Sequence, residues 1–426
     1  MEWILENKEW LFSGIAIAIP IAIIGWFISK KVIKQNQKSG DNSTNIQVGG
    51  NLEVGSKKMI SKQNQESGDN STNIQADNLV VNVSGIDEKR AREIFSEMNL
   101  QLKNDYTIEA LRIANNRVSD FENILMPKME KVEGALEAFS DPSFQLLLVE
   151  AQKTSASTER PADYELLSEL LLHRFKKGND RVVRAGINRA VDIVDEISDD
   201  SLLGLTVFHS VSNFIPTSGD IKRGLHVLDD LFGKVIYDEL PLGKDWLDHL
   251  EMLNTIRLNL FGNLKKLEEY YPLVLSGYID VGIEKNSENH NKALEILSKE
   301  ELPSDILVEH ALNDNYLRLE IANKEHINDI QIESSNGKFG QIKVFNPLTK
   351  KQITAANSIY ALYNRDQVLK EQNIKLFFEE WDKKPNLKKL KDWWNGLTNS
   401  IQVTSVGKVL AHSNAQRCSP NLPPLD

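Results

Sequence analysis

Cysteine is nearly absent from this chain of 426 residues, which contains only Cys418. An internal disulfide is therefore impossible, and a cysteine-rich metal site is excluded as well. The sequence also lacks common catalytic signatures: it has no Walker A motif, no GxGxxG after a predicted strand, no HExxH and no GxSxG. These absences argue against the familiar nucleotide-binding, zinc-protease and serine-hydrolase classes, and they leave an enzyme of unfamiliar type as an alternative.

Histidine shows no metal-binding pattern either. The eight histidines are scattered, and His209 and His226 lie in predicted helices without a cysteine or carboxylate at ligand spacing. The Asn- and Asp-rich turns near the N-terminus lack the ligand spacing of a calcium loop. The sequence therefore predicts no metal, no cofactor and no catalytic residue, and a non-enzymatic protein is the favoured interpretation.

One long apolar run is present, from Trp10 to Ile28, and it contains no charged residue. A helix of this length covers about 28 Å, close to the thickness of the hydrocarbon core of a bilayer. Acidic residues precede the run, whereas Lys30, Lys31 and Lys34 follow it. The positive-inside rule then predicts an extracytoplasmic segment at 1–9, a single transmembrane helix at 10–29 and a cytoplasmic remainder.

A polar segment is duplicated directly after this run. Residues 34–47 read KQNQKSGDNSTNIQ and residues 62–75 read KQNQESGDNSTNIQ, so only Lys38 and Glu66 differ. Each copy contains a Gly-Asp-Asn turn and leads into a short apolar-alternating run. Residues 30–85 are therefore predicted to form two β-hairpins or two rungs of a small β-stack.

The apolar residues of this segment need neighbours, because such strands are too short and too polar to bury a core alone. Those neighbours belong either to the other copy or to other chains, and rows of Asn and Gln suit stacking across identical strands. Self-association at the membrane is one hypothesis, and a flexible polar spacer is the alternative. The candidate self-association residues are Ile46, Val48, Leu52, Val54, Ile74, Leu79, Val81 and Val83.

The front end of the chain resembles a group of uncharacterised bacterial single-pass membrane proteins. The resemblance rests on an anchor that begins EWLFSG and on the SGDNSTNIQ repeats, and it covers residues 9–83. The segment from Thr404 to His412, TSVGKVLAH, also looks like the C-terminal signature of one such family. The group is associated with phage-defence and related conflict systems, and its shared front end joins differing cytoplasmic domains. The resemblance implies a bacterial origin and an inner-membrane location, and it implies no catalytic residue.

Between residues 86 and 335 the hydrophobic pattern is helical, with breaks at Pro- and Gly-containing positions. We find no fixed-period repeat, so the pattern predicts an irregular α-helical bundle of roughly eight to ten helices. The clearest apolar stripes are Leu166, Leu167, Leu170, Leu171 and Phe175; Val183, Ile187, Val191, Val194 and Ile197; Leu225, Leu228, Leu231, Phe232 and Val235; and Leu247, Leu250, Leu253, Ile256 and Leu260.

Residues 336–426 are predicted to form a small α+β module. Alternating residues near Lys338–Phe345 follow a turn at Ser335-Asn336-Gly337 and indicate a strand or hairpin. The predicted elements after it are helices at Thr354–Asn364, Arg365–Trp381 and Leu387–Thr398, a strand at Ile401–Val403 and a helix at Ser405–Gln416. This order also fits a winged-helix-like module. The expected fold class of the whole chain is mainly α.

The C-terminal module is basic, with 14 Lys/Arg against 7 Asp/Glu, although the formal net charge of the chain is −11. Its densest basic run precedes two tryptophans, so it is a candidate polyanion site in which lysines meet phosphates or anionic lipids and exposed indoles stack on bases. The candidate residues are Lys383, Lys384, Lys388, Lys389, Lys391, Trp393 and Trp394. The alternatives are a solvated lysine face with core tryptophans, and attraction between the basic end and the acidic body.

Together these features favour a membrane-tethered cytoplasmic sensor or scaffold, acting in phage defence, that self-associates through its repeats. The expected partners are the lipid bilayer, further copies of the chain and an unidentified protein. One alternative is an enzyme or toxin-like effector with an unrecognised active site. The other is a membrane-anchored nucleic-acid-binding protein that uses the basic module.

Overall fold

The computed structural model describes residues 35–39, 44–48, 63–67, 72–76, 86–99, 108–177, 180–259, 262–335, 343–397 and 400–425. Contacts divide the chain into two units, Met1–Ser84 and Gly85–Asp426. The transmembrane helix predicted at 10–29 and the segment predicted at 1–9 lie outside the described residues. No helix within the described ranges is both long enough and apolar enough to cross a bilayer.

In the first unit, the two copies of the polar repeat pair with each other strand by strand. Strand β1 (Gln35–Ser39) pairs in parallel with β3 (Gln63–Ser67), and β2 (Thr44–Val48) pairs in parallel with β4 (Thr72–Ala76). We call the first copy, with β1 and β2, rung 1 and the second copy, with β3 and β4, rung 2. The two strands of one copy do not share a sheet, so stacked rungs, and not hairpins between β1 and β2 or between β3 and β4, describe these residues.

The register of this pairing follows the sequence repeat. Every paired position differs by 28 in residue number, so Gln, Asn, Ser, Thr and Ile positions lie opposite their own counterparts. The exceptions are Lys38 opposite Glu66 and Val48 opposite Ala76. The duplication therefore encodes its own register, because a shift by one residue would place unlike residues opposite one another.

The second unit is mainly α-helical, as the hydrophobic pattern predicts. Its helices are α1 (Glu88–Asn99), α2 (Ile108–Glu130), α3 (Pro142–Ser157), α4 (Pro161–Lys176), α5 (Arg181–Asp192), α6 (Asp199–Asn213), α7 (Ile221–Val235), α8 (Asp245–Met252), α9 (Leu267–Val274), α10 (Ser276–Ile279), α11 (Glu288–Lys299), α12 (Lys350–Ala361), α13 (Gln367–Asp382), α14 (Pro385–Gly396) and α15 (Ser405–Cys418). Its strands are β5 (Ile256–Asn259), β6 (Ile283–Glu284), β7 (Leu307–Glu309), β8 (Tyr316–Leu319), β9 (Gln331–Ser335), β10 (Lys343–Pro347) and β11 (Ser400–Val403). Short 3₁₀ turns lie at Ala135–Ser140, Ser304–Ile306 and Lys324–Asp329.

Side-chain caps determine where many of these helices begin. At the start of α3, the carboxylate of Asp141 accepts hydrogen bonds from the backbone N–H groups of Ser143 and Phe144, and Pro142 takes the first helical position. The same kind of cap is supplied by Asp180 to α5, Ser198 to α6, Asp220 to α7, Ser287 to α11, Thr349 to α12, Asp366 to α13 and Thr404 to α15. Each cap bonds to backbone N–H groups only two or three residues further along, so the local sequence determines where these helices begin.

Helix α15 lies inside the larger hydrophobic core, packed by α4, α5 and α6. The leucines at 166, 167, 170 and 171 of the predicted α4 stripe are fully buried there. The same core receives Phe377 and Trp381 of α13 and both tryptophans of α14. The domain boundary predicted between residues 335 and 336 is therefore wrong, because the C-terminal helices complete the core of the preceding bundle.

A smaller core lies between Ile283 and Tyr363. It contains a three-stranded antiparallel sheet in the order β6-β8-β7, together with α11 and α12. The α+β part of the chain thus begins near residue 283, inside the stretch that was predicted to be wholly helical. Strands β9 and β10 pair in antiparallel order. Residues 343–345 of the strand predicted near Lys338–Phe345 belong to β10, and the rest of that strand lies outside the described residues.

The helix predicted to continue from Leu247 to Leu260 ends at Met252. Asn254 has a left-handed backbone (φ 57°), and the backbone N–H of Thr255 returns to the carbonyl of Leu250. The chain then forms β5, whose Leu258 pairs with Ile401 of β11 in antiparallel order. Strand β11 therefore joins the helical bundle.

A buried guanidinium connects the larger core to the smaller one. Arg318 on β8 is 2% exposed, and its Nη1 donates to the carbonyls of Gly277, Leu319 and Ile321 at 3.0–3.1 Å. Its Nη2 donates to the carbonyl of Gly219 in the α6–α7 loop. Because a buried charge without partners is strongly unfavourable, this set of carbonyls holds the α6–α7 loop and the start of α10 against the sheet.

We expect Gly407→Ala to destabilise the second unit. A Cβ at this position in α15 would lie 2.1 Å from the carbonyl oxygen of Thr255, so α15 and β5 would have to separate. Overpacking of this kind costs about 1–3 kcal/mol. The free energy of unfolding, measured by urea denaturation of residues 86–426, tests this. Gly396→Ala is the control, because nothing lies within 4 Å of its Cβ, and an unchanged Gly407→Ala protein would contradict the packing described.

Candidate functional site

Helix α15 carries polar side chains into the interior of the bundle. His412, Ser413, Asn414 and Gln416 are 3%, 0%, 0% and 7% exposed. These positions cover several sides of one helix, so polar groups point toward α4, toward α6 and toward the chain that follows α15. A buried polar group is unfavourable unless it is hydrogen-bonded. The partners of these four side chains therefore determine what the site can do.

Two histidines form one directed chain of hydrogen bonds. The side-chain amide of Asn213 donates to Nδ1 of His209 at 3.1 Å, which leaves the hydrogen of His209 on Nε2. That Nε2 lies 3.3 Å from Nδ1 of His412, and Nε2 of His412 lies 2.9 Å from the carbonyl of Pro423. Since a carbonyl only accepts, both rings are neutral with hydrogen on Nε2. Burial, and then the nearby His412, lower the pKa of His209 to about 3.

A second chain runs through His173 on α4. The hydroxyl of Ser413 donates to Nδ1 of His173 at 3.0 Å, and Nε2 of His173 donates to Oε1 of Gln416 at 2.6 Å. The amide nitrogen of Gln416 then donates to the carbonyls of Leu422 and Pro423 at 3.2 and 3.1 Å. Burial lowers the pKa of His173 to about 4. Both chains thus end on the same carbonyl, that of Pro423.

We call His173, His209 and His412 the histidine cluster, and residues 419–425 the C-terminal tail. The rings of His173 and His209 each lie 5.5 Å from the ring of His412, and Phe214 packs at the same distance from His412. Ser413 and His173 form a hydroxyl–imidazole contact of the kind in which a hydrolase uses serine as the nucleophile and histidine as the base. The hydroxyl of Ser413 is fully buried, however, so no substrate reaches it in this conformation. The arrangement instead holds the tail against the bundle.

A cleft of about 430 Å³ lies between the tail, the α6–α7 loop and α7. Phe214, Val227 and Leu231 contribute apolar walls, and Asp230 and Lys234 contribute opposite charges. Asn213 and Pro423 also line this cleft, and these two residues are the first and last members of the His209–His412 chain. A ligand in the cleft would therefore contact both Asn213 and Pro423, the two ends of the series of hydrogen bonds that holds the tail.

A second cleft, of about 450 Å³, has a different character. Asp305, Glu320 and Asp329 line it together with His326. Across the ranges that the structure describes, no group of three or more His, Cys, Asp or Glu side chains is arranged to hold a metal ion. This acidic cleft therefore offers no metal centre, and the cleft at the tail is the better candidate site.

The tryptophans of the predicted polyanion site lie in the core. Trp393 is 7% exposed and Trp394 is 3% exposed. Their indole N–H groups donate to the carbonyls of Pro241 and Lys265 at 2.8 and 2.9 Å, and Trp394 stacks on Phe208 with ring centroids 4.8 Å apart. Neither indole is exposed for stacking on a base, and both match the alternative of a lysine face with core tryptophans.

The lysines of the same run are partly neutralised by neighbours. Lys383 pairs with Glu380 and Lys391 pairs with Asp382, each with a closest distance of 2.5 Å. The ammonium of Lys389 lies 3.3 Å from the carbonyl of Asp238. Lys388 is exposed, and Lys384 is half-buried just before α14. The basic end also contacts the acidic body, through Arg417 with Glu165 and Lys370 with Asp280.

The candidate self-association residues fall partly within the described strands. Ile46 lies opposite Ile74, and Val48 lies opposite Ala76, in the pairing of β2 with β4. Leu52, Val54, Leu79, Val81 and Val83 lie outside the described residues.

Sequence reasoning missed the histidine cluster. Taken singly, a histidine in a helix indicates packing or surface exposure, and His173, His209 and His412 come from three distant segments. The available signal was α15 itself, in which His412, Ser413 and Asn414 follow directly on an apolar stretch. Such a sequence in a terminal helix indicates burial on several sides with internal polar partners.

One protein-family model, which describes an uncharacterised family, matches residues 85–423. The matched region begins where the second unit begins and ends at Pro423, the residue whose carbonyl both histidine chains share. No curated protein matches the chain. No solved structure matches it.

The neutral histidines predict a stability that falls on acidification. The pKa of His310, which is buried beside the smaller core, is also lowered to about 4, chiefly by burial. In the unfolded chain each ring titrates near 6.5, so below that pH the unfolded state binds more protons than the folded state. The stability contributed by each ring is full above pH 6.5 and is progressively lost toward pH 4.

We expect the free energy of unfolding to fall by about 2 kcal/mol per buried histidine between pH 7.5 and pH 5. Urea denaturation of residues 86–426 at both pH values measures it. His173→Gln should reduce this pH dependence by roughly one third, because it removes one of the three rings with a lowered pKa, those of His173, His209 and His310. His226→Gln is the control, since the His226 side chain is 63% exposed. A free energy that does not change over this range would contradict buried neutral rings.

Proposed function

Since the chain belongs to the uncharacterised family whose model spans residues 85–423, we propose that this family domain is the sensing part of a membrane-tethered scaffold. The chain acts at the inner membrane of a bacterium, in phage defence, and its repeat brings copies together on the cytoplasmic face. A second protein, of unidentified type, then recognises the clustered domains. The observation that carries this proposal is the parallel, in-register pairing of rung 1 with rung 2.

The pairing supports self-association because the described strands of the repeat leave sheet edges on which a further strand can pair. Each sheet of the repeat contains two strands in the part of the chain that the structure describes. A two-stranded sheet presents unpaired N–H and C=O groups along both outer edges, and such edges accept a further strand. The strands that fit best are those of another copy, because the repeat already pairs with a near-identical sequence. Two strands are also marginal alone, and additional rungs would stabilise them.

The cleft at the tail supports the sensing part of the proposal. Ligand sites are concave and largely apolar, with a few polar groups that fix orientation. The cleft has this composition, with Asp230 and Lys234 beside apolar walls. Its wall includes Pro423, which the histidine cluster holds in place. A small amphipathic ligand in the cleft would shift the position of the tail, and the tail is the element that a partner would detect.

The two alternative functions receive less support from the described residues. The enzyme hypothesis has a serine and a histidine in contact, but Ser413 is fully buried. The nucleic-acid hypothesis loses its stacking residues, because Trp393 and Trp394 are core residues. Lysines alone provide a charge-based, sequence-independent contact that salt weakens.

We expect the detergent-solubilised full-length protein to be an oligomer and a chain beginning at Ile86 to be a monomer. Multi-angle light scattering, corrected for bound detergent, gives both masses. The matched control replaces residues 34–84 with a Gly/Ser segment of equal length, and it should also be monomeric. If the control remains oligomeric, association comes from elsewhere and the repeat is a spacer. If the full-length protein is monomeric, the clustering part of the proposal is wrong.

A further inference from the structure

The two copies of the repeat differ at one position within their 14 residues, where the first has Lys38 and the second has Glu66. These two residues occupy the same register position, directly opposite each other in the pairing of β1 with β3. Opposite charges at facing positions stabilise a strand pair, and like charges destabilise it. The single difference between the copies therefore places complementary charges on neighbouring rungs.

Two chains could meet through their repeats in three ways. Rung 2 of one chain could face rung 1 of the next, or rung 1 could face rung 1, or rung 2 could face rung 2. In the same register these contacts place Glu66 opposite Lys38, Lys38 opposite Lys38, and Glu66 opposite Glu66. Only the first contact, head to tail, joins opposite charges, and all other positions of the 14-residue copies are identical and do not distinguish the three.

Strand geometry selects the same contact. A head-to-head or tail-to-tail contact relates two copies by a twofold axis across the stack. If this axis runs across the strands, it reverses the strand direction and gives antiparallel pairs. If it runs along the strands, it keeps their direction but exchanges the two faces of the sheet, so side chains that share a face in one copy lie on the opposite face in the next. A head-to-tail contact preserves both the direction and the face. It therefore repeats the parallel pairing that rung 1 makes with rung 2.

We propose that the repeat of one chain binds the repeat of a second copy head to tail, with Glu66 of one chain opposite Lys38 of the next. The inference rests on the self-association proposed above and specifies its partner and its polarity. A head-to-tail contact leaves a free rung at each end, so the assembly is an open ladder and not a closed dimer. Each copy advances the ladder by two rungs, about 10 Å, which is close to the width of one helix with its side chains. A row of predicted anchor helices fits that spacing.

The second units limit how far the ladder extends. A unit of this size has a radius of gyration of about 20 Å, so it is wider than the advance of one copy. Crowding of the second units increases with each added copy. We therefore expect short ladders whose length depends on the density of the protein in the membrane.

Charge variants of the full-length protein test the polarity. Lys38→Glu and Glu66→Lys each place like charges between neighbouring chains, so each variant alone should self-associate about 3- to 30-fold more weakly than the wild type. The double variant Lys38→Glu/Glu66→Lys restores opposite charges and should recover. An equimolar mixture of the two single variants should also recover, because each supplies the charge that the other lacks. Sedimentation velocity in a non-ionic detergent at low ionic strength measures the association.

Lys375→Glu is the matched control, because it changes the net charge by the same amount on the exposed surface of α13, and it should associate like the wild type. Lys38→Gln separates the polarities: it weakens a head-to-tail contact, whereas it relieves Lys–Lys repulsion and strengthens a head-to-head contact. An oligomeric wild type with single variants that associate equally well would overturn the polarity and leave the self-association intact. A monomeric wild type would overturn both.

Discussion

The need to give hydrogen-bond partners to the buried polar side chains of helix α15 is the constraint on which the bundle depends. Helix α15 enters the centre of the bundle with His412, Ser413, Asn414 and Gln416 buried. Burial of these side chains is tolerated because the surrounding elements supply partners to each: α4 supplies His173, α6 supplies Thr206 and His209, and the tail supplies backbone carbonyls. The order of the bundle thus follows from its last helix. A helix with an apolar surface could rotate or slide among its neighbours, whereas these directed contacts fix its position.

In the repeat, the polar groups that need partners are the backbone N–H and C=O groups at the strand edges. Its two rungs pair their facing edges within one chain, but the outer edges of a two-stranded sheet have no further strand in the described residues. The second unit encloses its own two cores, while the repeat, in the proposal above, is completed by another copy. Under this proposal the repeat contributes clustering, and the attached domain contributes recognition. The tail cleft shares Asn213 and Pro423 with the His209–His412 chain of hydrogen bonds.

Local features of the fold could be predicted from the sequence, and long-range ones could not. The apolar stripe of α4 and the helices after residue 350 follow from periodicity and caps, and the structure confirms them. Strand β5 was mistaken for helix because its partner β11 lies more than 140 residues later, and no local pattern indicates such a pairing. The lysine run leaves Trp393 and Trp394 open between exposed stacking residues and core residues, and the structure buries both because the apolar face of α14 points inward. The histidine cluster depends on three distant segments, so only the packed structure brings it together.

Disulfide cross-linking of the repeat in the membrane tests the central claim most directly. Asn36 lies opposite Asn64, so in a head-to-tail ladder residue 64 of one chain lies one strand spacing, about 4.8 Å, from residue 36 of the next. Two residues 36 lie two spacings apart, beyond disulfide reach. With Cys418→Ser as background, the account predicts cross-linked dimers only when Asn36→Cys and Asn64→Cys chains are mixed. Dimers from Asn36→Cys alone, or none from the mixture, would contradict it.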